Sequence, residues 1–225
     1  MKILSAAFLA ALMLSSAAHA ASTDWVEVMG GKVRLIAGGP LDEPGRYDAG
    51  LEFSMEPGWH IYWRFPGEAG VPTQADFSAS SNLEEARLRF PAPVRYHDGY
   101  ATSIIYQEHV VLPIEVVARE TAAPLELTAG LFFGICREIC VPAQMDLTLG
   151  LSSAQGVDFP MRLAISQATL ALPRPQGNSA PRVVSVESAG PADNGKPGVL
   201  KIDVEVGEKD SEIDLFAEGA EGSFI

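Results

Sequence analysis

The chain has 225 residues, of which 47% are hydrophobic and 20% charged, with a formal net charge of −13. This composition is globular, and so acidic a surface argues against binding to nucleic acid or anionic lipid, because both are polyanions. We expect no nucleic acid among its partners; the acidity most simply keeps the protein soluble. About 205 residues remain after the first 20, enough for one large domain, or for one domain and part of another.

The first twenty residues have the pattern of a secretory signal. A charged start, Met1-Lys2, precedes an apolar run from Ile3 to Leu14 and a small-residue site at Ala18-His19-Ala20. The apolar run is too short for a good transmembrane span. We therefore predict that residues 1–20 are a signal peptide and that the protein is exported, to the periplasm if the source is a Gram-negative bacterium.

Residues 22–155 carry a β pattern. Short alternating or β-branched runs are separated by glycine and proline clusters, which is typical of an antiparallel β-sandwich. We therefore predict an all-β domain here. The predicted strands are Val26–Met29, Lys32–Ile36, Tyr47–Met55, Trp59–Trp63, Ala86–Phe90, His109–Val117, Leu125–Gly134 and Met145–Leu149.

Residues 156–181 read as one helix followed by a proline-rich linker. Asp158 is a good N-cap, Pro160 suits the first turn, and Phe159, Leu163 and Ala164 are apolar, so about three helical turns are expected. Prolines, a glycine and polar residues follow and indicate a linker.

Residues 182–225 return to the β pattern. About 45 residues are too few for an independent sandwich core. These strands either pack on the first domain or begin a second domain that is cut short. The predicted strands are 182–187, 199–206 and 213–217.

The two cysteines of the chain, Cys136 and Cys140, are four residues apart. A disulfide closing a loop of about 5 residues stabilises by roughly 2 kcal/mol at best, against nearly 5 for a loop of about 100 residues. On an extended strand the pair would lie about 13 Å apart, too far for a disulfide, so either the segment turns back or the thiols stay apart. Redox exchange is the favoured interpretation; a structural disulfide and metal ligation stay open.

The sequence excludes a thioredoxin fold and gives little support to a serine hydrolase. Thioredoxin-like enzymes carry Cys-x-x-Cys within alternating strands and helices, whereas this chain has three intervening residues and a β pattern. A Gly-x-Ser-x-Gly elbow is absent from the sequence, so a serine hydrolase is poorly supported. Between the cysteines, the charge of Arg137 favours a thiolate and that of Glu138 opposes it.

The strand Trp59–Trp63 presents two different faces. Period 2 places Trp59, Ile61 and Trp63 on one face, which we expect to be core, and His60 and Tyr62 on the other. Tyr62 then lines the cysteine pocket, packs on the opposite sheet or meets solvent.

Histidines and an aspartate are further candidates. His60, His97 and His109 could compose a copper or zinc site with the two thiols if the fold gathers them. Ordinary strand and loop histidines are the simpler interpretation, so we assign no metal ligand and expect no cofactor. Asp98 either tunes the pKa of a nearby thiol by its charge or is a solvated loop carboxylate.

Four stretches in the same order, spanning about half of the exported chain, carry a family resemblance. They are Pro57–Thr73, Phe90–Pro93, Tyr100–Pro113 and Gly134–Pro142. Together they resemble the N-terminal periplasmic domain of DsbD-type thiol:disulfide interchange proteins, including the ScsB-like branch linked to copper tolerance. In the better-known DsbD domains the cysteines are spaced further apart.

The resemblance implies an immunoglobulin-like sandwich that accepts electrons from a membrane-embedded thiol reductase domain and passes them to periplasmic thioredoxin-like proteins. It implies that Cys140 forms the mixed disulfides and that Cys136 resolves them. By order along the chain, residues 97–102 correspond to a loop that caps the pair, with Tyr100 one place from the family's cap aromatic. His60, Tyr62 and Asp98 are the other candidates for capping or tuning.

Several functional alternatives stay open at this point. The client could belong to cytochrome c maturation, disulfide isomerisation or copper tolerance. If the chain is an enzyme, it is a component of a protein-disulfide reductase. The alternative is a non-catalytic periplasmic binding module, for copper among other ligands, in which Cys136 and Cys140 are ligands or a local brace.

Overall fold

The structure is a computed structural model, and it describes residues 21–190, 198–207 and 213–218. The predicted signal peptide lies outside the described residues. The chain divides into two compact units at Leu170 and Ala171. No helix among the described residues is long and apolar enough to cross a membrane.

The first unit is an immunoglobulin-like antiparallel β-sandwich with one helix, so the predicted all-β fold is confirmed. The elements are β1 (Val26–Val28), β2 (Gly31–Pro40), β3 (Arg46–Met55), β4 (His60–Gly67), β5 (Gln74–Asp76), β6 (Leu83–Leu88), β7 (Val94–His97), β8 (Thr102–Gln107), β9 (His109–Ala118), β10 (Leu125–Cys136), β11 (Cys140–Leu151) and α1 (Phe159–Leu170). One sheet has the strand order β1-β2-β3-β9-β6. The other has the order β11-β10-β4-β8-β7, and the short strand β5 also pairs with β10.

The core lies between the two sheets, where apolar side chains alternate along the strands. Phe53 of β3 and Phe133 of β10 are both fully buried. Their ring centroids are 5.1 Å apart at an interplanar angle of 85°. This edge-to-face contact stabilises the fold by about 0.5–1.5 kcal/mol beyond the burial of the two rings. Because β3 and β10 belong to different sheets, the contact holds the two sheets together.

Three strands were not recognised from the sequence pattern. β5 has only three residues, and β7 and β8 follow one another near the predicted cap loop. β7 is mostly exposed, so it lacks the apolar alternation by which half-buried strands are recognised. His97, expected in a loop, is the last residue of β7.

Helix α1 begins as predicted but buries a different face. The Oδ1 atom of Asp158 accepts the backbone N–H of Met161 at 3.0 Å, so the predicted N-cap is confirmed. Ile165 is buried against β2 and β9, with Met161 packed beside it. Phe159 and Leu163 stay 77% and 59% exposed. Because it packs on the sandwich, α1 belongs to the first compact unit and not to the connecting segment.

The second unit contains a two-stranded antiparallel ribbon of β12 (Arg182–Gly190) and β13 (Val199–Glu205). Two of the three strands predicted there are therefore confirmed. The third is not formed: residues 213–218 are described and contain no strand. Val186 and Val199 stay more than half exposed, so the ribbon buries little apolar surface. A truncated second domain stays a prediction.

A nearly buried charge cluster joins β2, β3 and β9. Glu52 is 9% exposed; its carboxylate accepts hydrogen bonds from Arg34 Nε at 2.6 Å and from His109 Nε2 at 2.9 Å. Burial acts to raise the pKa of Glu52, but the hydrogen bonds from His109 and Arg34 and the charge of Arg34 outweigh it and lower that pKa below 4.5. The charged carboxylate therefore stabilises the fold above its unfolded pKa, and this stability is lost as the pH falls through the lowered value.

We expect Glu52→Gln to lower the free energy of unfolding by about 1–3 kcal/mol at neutral pH, because the amide carries no charge and replaces one of the two accepting oxygens by an N–H donor. Urea unfolding at neutral pH and at about pH 3 measures the effect, and the difference from the unaltered protein should shrink at the acidic pH. Glu85→Gln is the control, since Glu85 forms an exposed pair with Arg87 and should change stability by under about 1 kcal/mol. An equal Glu52→Gln effect at both pH values contradicts the prediction.

Candidate functional site

The two cysteines meet at the tip of the hairpin formed by β10 and β11. These strands pair along their whole length, and Cys136 opposite Cys140 is the last pair in the register. A disulfide joins them, with Cα atoms 4.2 Å apart. The turn between them is short, and the Arg137 N–H donates to the Ile139 carbonyl at 3.1 Å. Of the two sequence alternatives, the chain therefore adopts the one in which it turns back.

The two sulfur-bearing residues differ sharply in accessibility. Cys136 is 1% exposed and packs in a buried cluster with Tyr62 and Ile105. Cys140, on the first position of β11, is exposed. A macromolecular thiol that approaches this hairpin therefore meets Cys140 first, and Cys136 is shielded behind it.

Two side chains of β4, His60 and Tyr62, lie beside the two cysteines. The hydroxyl of Tyr62 lies 3.3 Å from Cys140 Sγ, and His60 Nε2 lies 3.4 Å from the same hydroxyl. Strand β4 pairs with β10 so that His60 is directly opposite Cys136. Of the three environments considered for Tyr62, the fold selects the cysteine pocket.

Both faces of β4 are buried at this end, although period 2 separates His60 and Tyr62 from the tryptophans. A Cβ on Gly70, whose φ is +122°, would lie 2.2 Å from Cε1 of Tyr62, so the backbone just after β4 lies against the tyrosine ring. The ring of Tyr96, on β7, lies 5.2 Å from that of His60. Tyr62 is therefore covered by the segment that follows its own strand, and His60 by a strand further along the chain; Gly70 is a local sign of the first of these close approaches.

Burial shifts the titration of both β4 side chains. Burial raises the pKa of Tyr62 above 10, and the charge of Asp98 and the neighbouring Tyr96 raise it further. Burial also lowers the pKa of His60 below 6.5, and the charge of Asp98 partly opposes this. Both groups are therefore neutral at pH 7.

The predicted cap loop is ordered by Asp98. Its Oδ1 accepts the backbone N–H groups of Tyr100 at 2.8 Å and Ala101 at 2.9 Å. The bonds from Ala101 and Tyr100 hold the pKa of Asp98 below 3.8, so this exposed carboxylate is ionised. The side chain of Tyr100 is 97% exposed and does not shield the disulfide in this structure. The capping role of Tyr100 and the tuning of a thiol by Asp98 stay predictions.

Arg137 is anchored by a residue that the sequence pattern assigned only to the core. The guanidinium carbon of Arg137 lies 5.3 Å from the centre of the Trp59 ring. A Cβ on Gly58 would lie 3.3 Å from Arg137 Cδ, so the arginine stem also runs against the backbone. The cation–π contact is worth about 0.5–1 kcal/mol at an exposed site and holds one side of the turn against the sandwich.

The three histidines considered as metal ligands do not come together. His97 Nδ1 lies 3.4 Å from the Thr102 hydroxyl, and His109 contacts Glu52, so only His60 lies beside the cysteines. Within the described ranges, no group of three or more His, Cys, Asp or Glu side chains is arranged to hold a metal ion. The fold therefore does not gather the three histidines around the thiols, which was the condition for a metal site with these ligands.

A disulfide across a three-residue turn, with one exposed and one buried cysteine on an all-β scaffold, defines a class of β-sandwich thiol:disulfide modules. Residues 41–152 match the family described as thiol:disulfide interchange protein DsbD, N-terminal. The chain therefore contains a DsbD-type N-terminal domain, a thiol:disulfide interchange domain, as the resemblance implied.

Two solved structures are similar to the chain. The N-terminal periplasmic domain of ScsB from Proteus mirabilis is 24% identical with a TM-score of 0.58, over 75% of this chain and 64% of that one. This likeness shows the fold, and the chain spans less than two thirds of the length of that structure. The Neisseria meningitidis DsbD N-terminal domain in the reduced form is 13% identical with a TM-score of 0.33, over 58% of this chain and 88% of that one. No curated protein sequence matches the chain.

Proposed function

We propose that the chain is a periplasmic module that relays electrons by thiol–disulfide exchange at Cys136 and Cys140. Its donor is a membrane-embedded thiol reductase domain, and its acceptors are periplasmic thioredoxin-like proteins. The observation that carries the proposal is the disulfide at the hairpin tip, with Cys140 exposed and Cys136 buried. The predicted signal peptide and the periplasmic origin of the similar ScsB domain support the compartment.

The unequal exposure of the two cysteines supports the following order of steps. In the reduced module the Cys140 thiolate attacks the acceptor disulfide, forms a mixed disulfide and displaces one acceptor sulfur as a thiolate, which takes a proton from solvent. The Cys136 thiolate then attacks Cys140 Sγ, closes the internal disulfide and releases the second acceptor sulfur. The acceptor gains two electrons and the module loses two; the donor dithiol restores them by the reverse sequence.

Tyr62 contributes to both directions of this relay. Its hydroxyl lies 3.3 Å from Cys140 Sγ, and a hydrogen bond to an ionised acceptor is roughly twice as strong as one between neutral groups. The bond therefore favours the Cys140 thiolate when it attacks the acceptor and when it is released during reduction by the donor.

The proposal is tested by the ease with which the folded protein is reduced. We expect reduced glutathione or thioredoxin to open the disulfide under native conditions, at a potential above about −300 mV, below which structural disulfides usually lie. Alkylation with a thiol-specific mass tag at defined glutathione ratios measures the reduced fraction. Circular dichroism at each ratio reports whether the protein stays folded. Resistance to both reductants in the folded state contradicts the proposed function.

A further inference from the structure

His60 is a buried polar side chain for which the exchange steps above need no role. Its exposed fraction is 4%, and no hydrogen-bond partner for its buried Nδ1 atom is found among the described residues. Its other ring nitrogen, Nε2, lies 3.4 Å from the Tyr62 hydroxyl. An imidazole buried with one unsatisfied nitrogen costs stability. The presence of a histidine at this position therefore points to a function for its other nitrogen.

We propose that His60 is a positioning residue that donates a hydrogen bond to the Tyr62 hydroxyl and thereby directs its proton toward Cys140. The inference rests on the proposed function, because it concerns the thiolate that carries out the exchange. The chain of atoms is continuous, from His60 Nε2 to Tyr62 Oη at 3.4 Å and from Tyr62 Oη to Cys140 Sγ at 3.3 Å.

The direction of the two hydrogen bonds follows from what each atom can do. A thiolate only accepts, so the proton of the Tyr62 hydroxyl must point at Cys140 when the pair is reduced and Cys140 is ionised. The tyrosine oxygen then presents lone pairs to His60, and Nε2 must donate. In a neutral imidazole this leaves Nδ1 as the bare acceptor. That matches its unpartnered state, since a buried N–H without a partner is the rarer defect.

The surroundings of His60 keep this arrangement neutral. The titratable groups that face it are Tyr62 on its own strand, Tyr96 across the ring contact, and Asp98 through its charge. Burial lowers the pKa of His60, so it donates to Tyr62 as a neutral imidazole at pH 7. Two successive hydrogen bonds polarise one another, so the bond from Tyr62 to the thiolate is strengthened.

The experiment measures the pKa of the Cys140 thiol from the pH dependence of its alkylation by iodoacetamide, in the full chain carrying Cys136→Ser. We expect Tyr62→Phe to raise this pKa by about one unit, the effect of losing a charged hydrogen bond. His60→Leu should raise it by roughly half a unit, because only the polarising bond is lost. His60→Gln, whose amide nitrogen reaches the position of Nε2, should restore most of the shift.

A double variant separates positioning from an independent effect. If His60 acts through Tyr62, then His60→Leu adds nothing to the pKa shift of Tyr62→Phe. Additive shifts, an unchanged pKa in His60→Leu, or a failure of His60→Gln to restore it each overturn the inference. His109→Gln is the matched histidine control, since His109 contacts Glu52 and not Tyr62. Circular dichroism reports whether each variant is folded. If His60→Leu does not fold, the single variants Tyr62→Phe and His60→Gln still test the inference.

Failure of this inference is distinguishable from failure of the proposed function. If only the positioning role is wrong, the unaltered protein still exchanges with thioredoxin, and one of the contradicting pKa results above is found. If the proposed function is wrong, the unaltered protein resists thioredoxin, whatever Cys140 pKa values the variants give.

Discussion

Cys140→Ala is expected to abolish exchange with a thioredoxin-like protein, and Cys136→Ala to arrest it as a stable mixed disulfide. The reason is the unequal exposure of the pair: Cys140 is exposed, whereas Cys136 is 1% exposed behind it. Removal of Cys140 leaves only a thiol that the acceptor does not reach. Removal of Cys136 leaves the attacking thiol without the partner that would displace the acceptor.

The measurement uses a thioredoxin whose second active-site cysteine is replaced and whose first carries a thionitrobenzoate group. Attack by Cys140 forms a mixed disulfide and releases coloured thionitrobenzoate, so rate and stoichiometry are read together. One equivalent should be released by Cys136→Ala and almost none by Cys140→Ala. In urea the two variants should react alike, because unfolding exposes Cys136. Equal rates in the folded state would reverse or remove the assigned roles.

Gly30→Ala is expected to destabilise the sandwich by about 2–5 kcal/mol, the sum of a left-handed backbone cost and an overpacking cost. Gly30 has a φ of +77°, and a Cβ there would lie 2.0 Å from Cδ2 of Trp59. The indole cannot move freely, because it is buried and carries Arg137 on its ring. The substitution should therefore also loosen the turn that carries the disulfide. Urea unfolding followed by tryptophan fluorescence gives the change in the free energy of unfolding.

Gly99→Ala is the matched control for Gly30→Ala. Gly99 has a φ of +94°, and nothing lies within 4 Å of the position that its Cβ would take. This variant carries the backbone cost of about 1–2 kcal/mol alone. The difference between the two variants thus isolates the contact with Trp59, and equal losses of stability would show that this contact contributes nothing.

Features set by neighbouring residues were accessible from the sequence. Alternation at period 2 predicted eight strands of the sandwich, because each has one face in the core and its pattern is local. Asp158 marked the start of α1, because a cap depends on backbone groups within one turn. The spacing of Cys136 and Cys140 required a turn before any disulfide could form.

Features decided by packing were predicted less well. The apolar positions Phe159 and Leu163 of α1 stay exposed; of the positions expected to be apolar only Ala164 packs inward, beside the buried Ile165. The helix sequence does not determine which of its faces packs on the sheet, because that also depends on the shape of the sheet surface. The sequence pattern did not predict the edge strand β7, because an edge strand needs few core residues.

The sequence alone therefore determined the all-β class, the hairpin that a disulfide at this spacing requires, and the family motifs around the cysteines. Only the tertiary structure decided which sulfur is accessible and which side chains reach it. The contact of Tyr62 with Cys140 arises because β4 pairs with β10, some 75 residues along the chain, whereas His60 meets Tyr62 because both lie on one face of β4. Register between distant strands sets such contacts, and it depends on the packing of the whole sandwich.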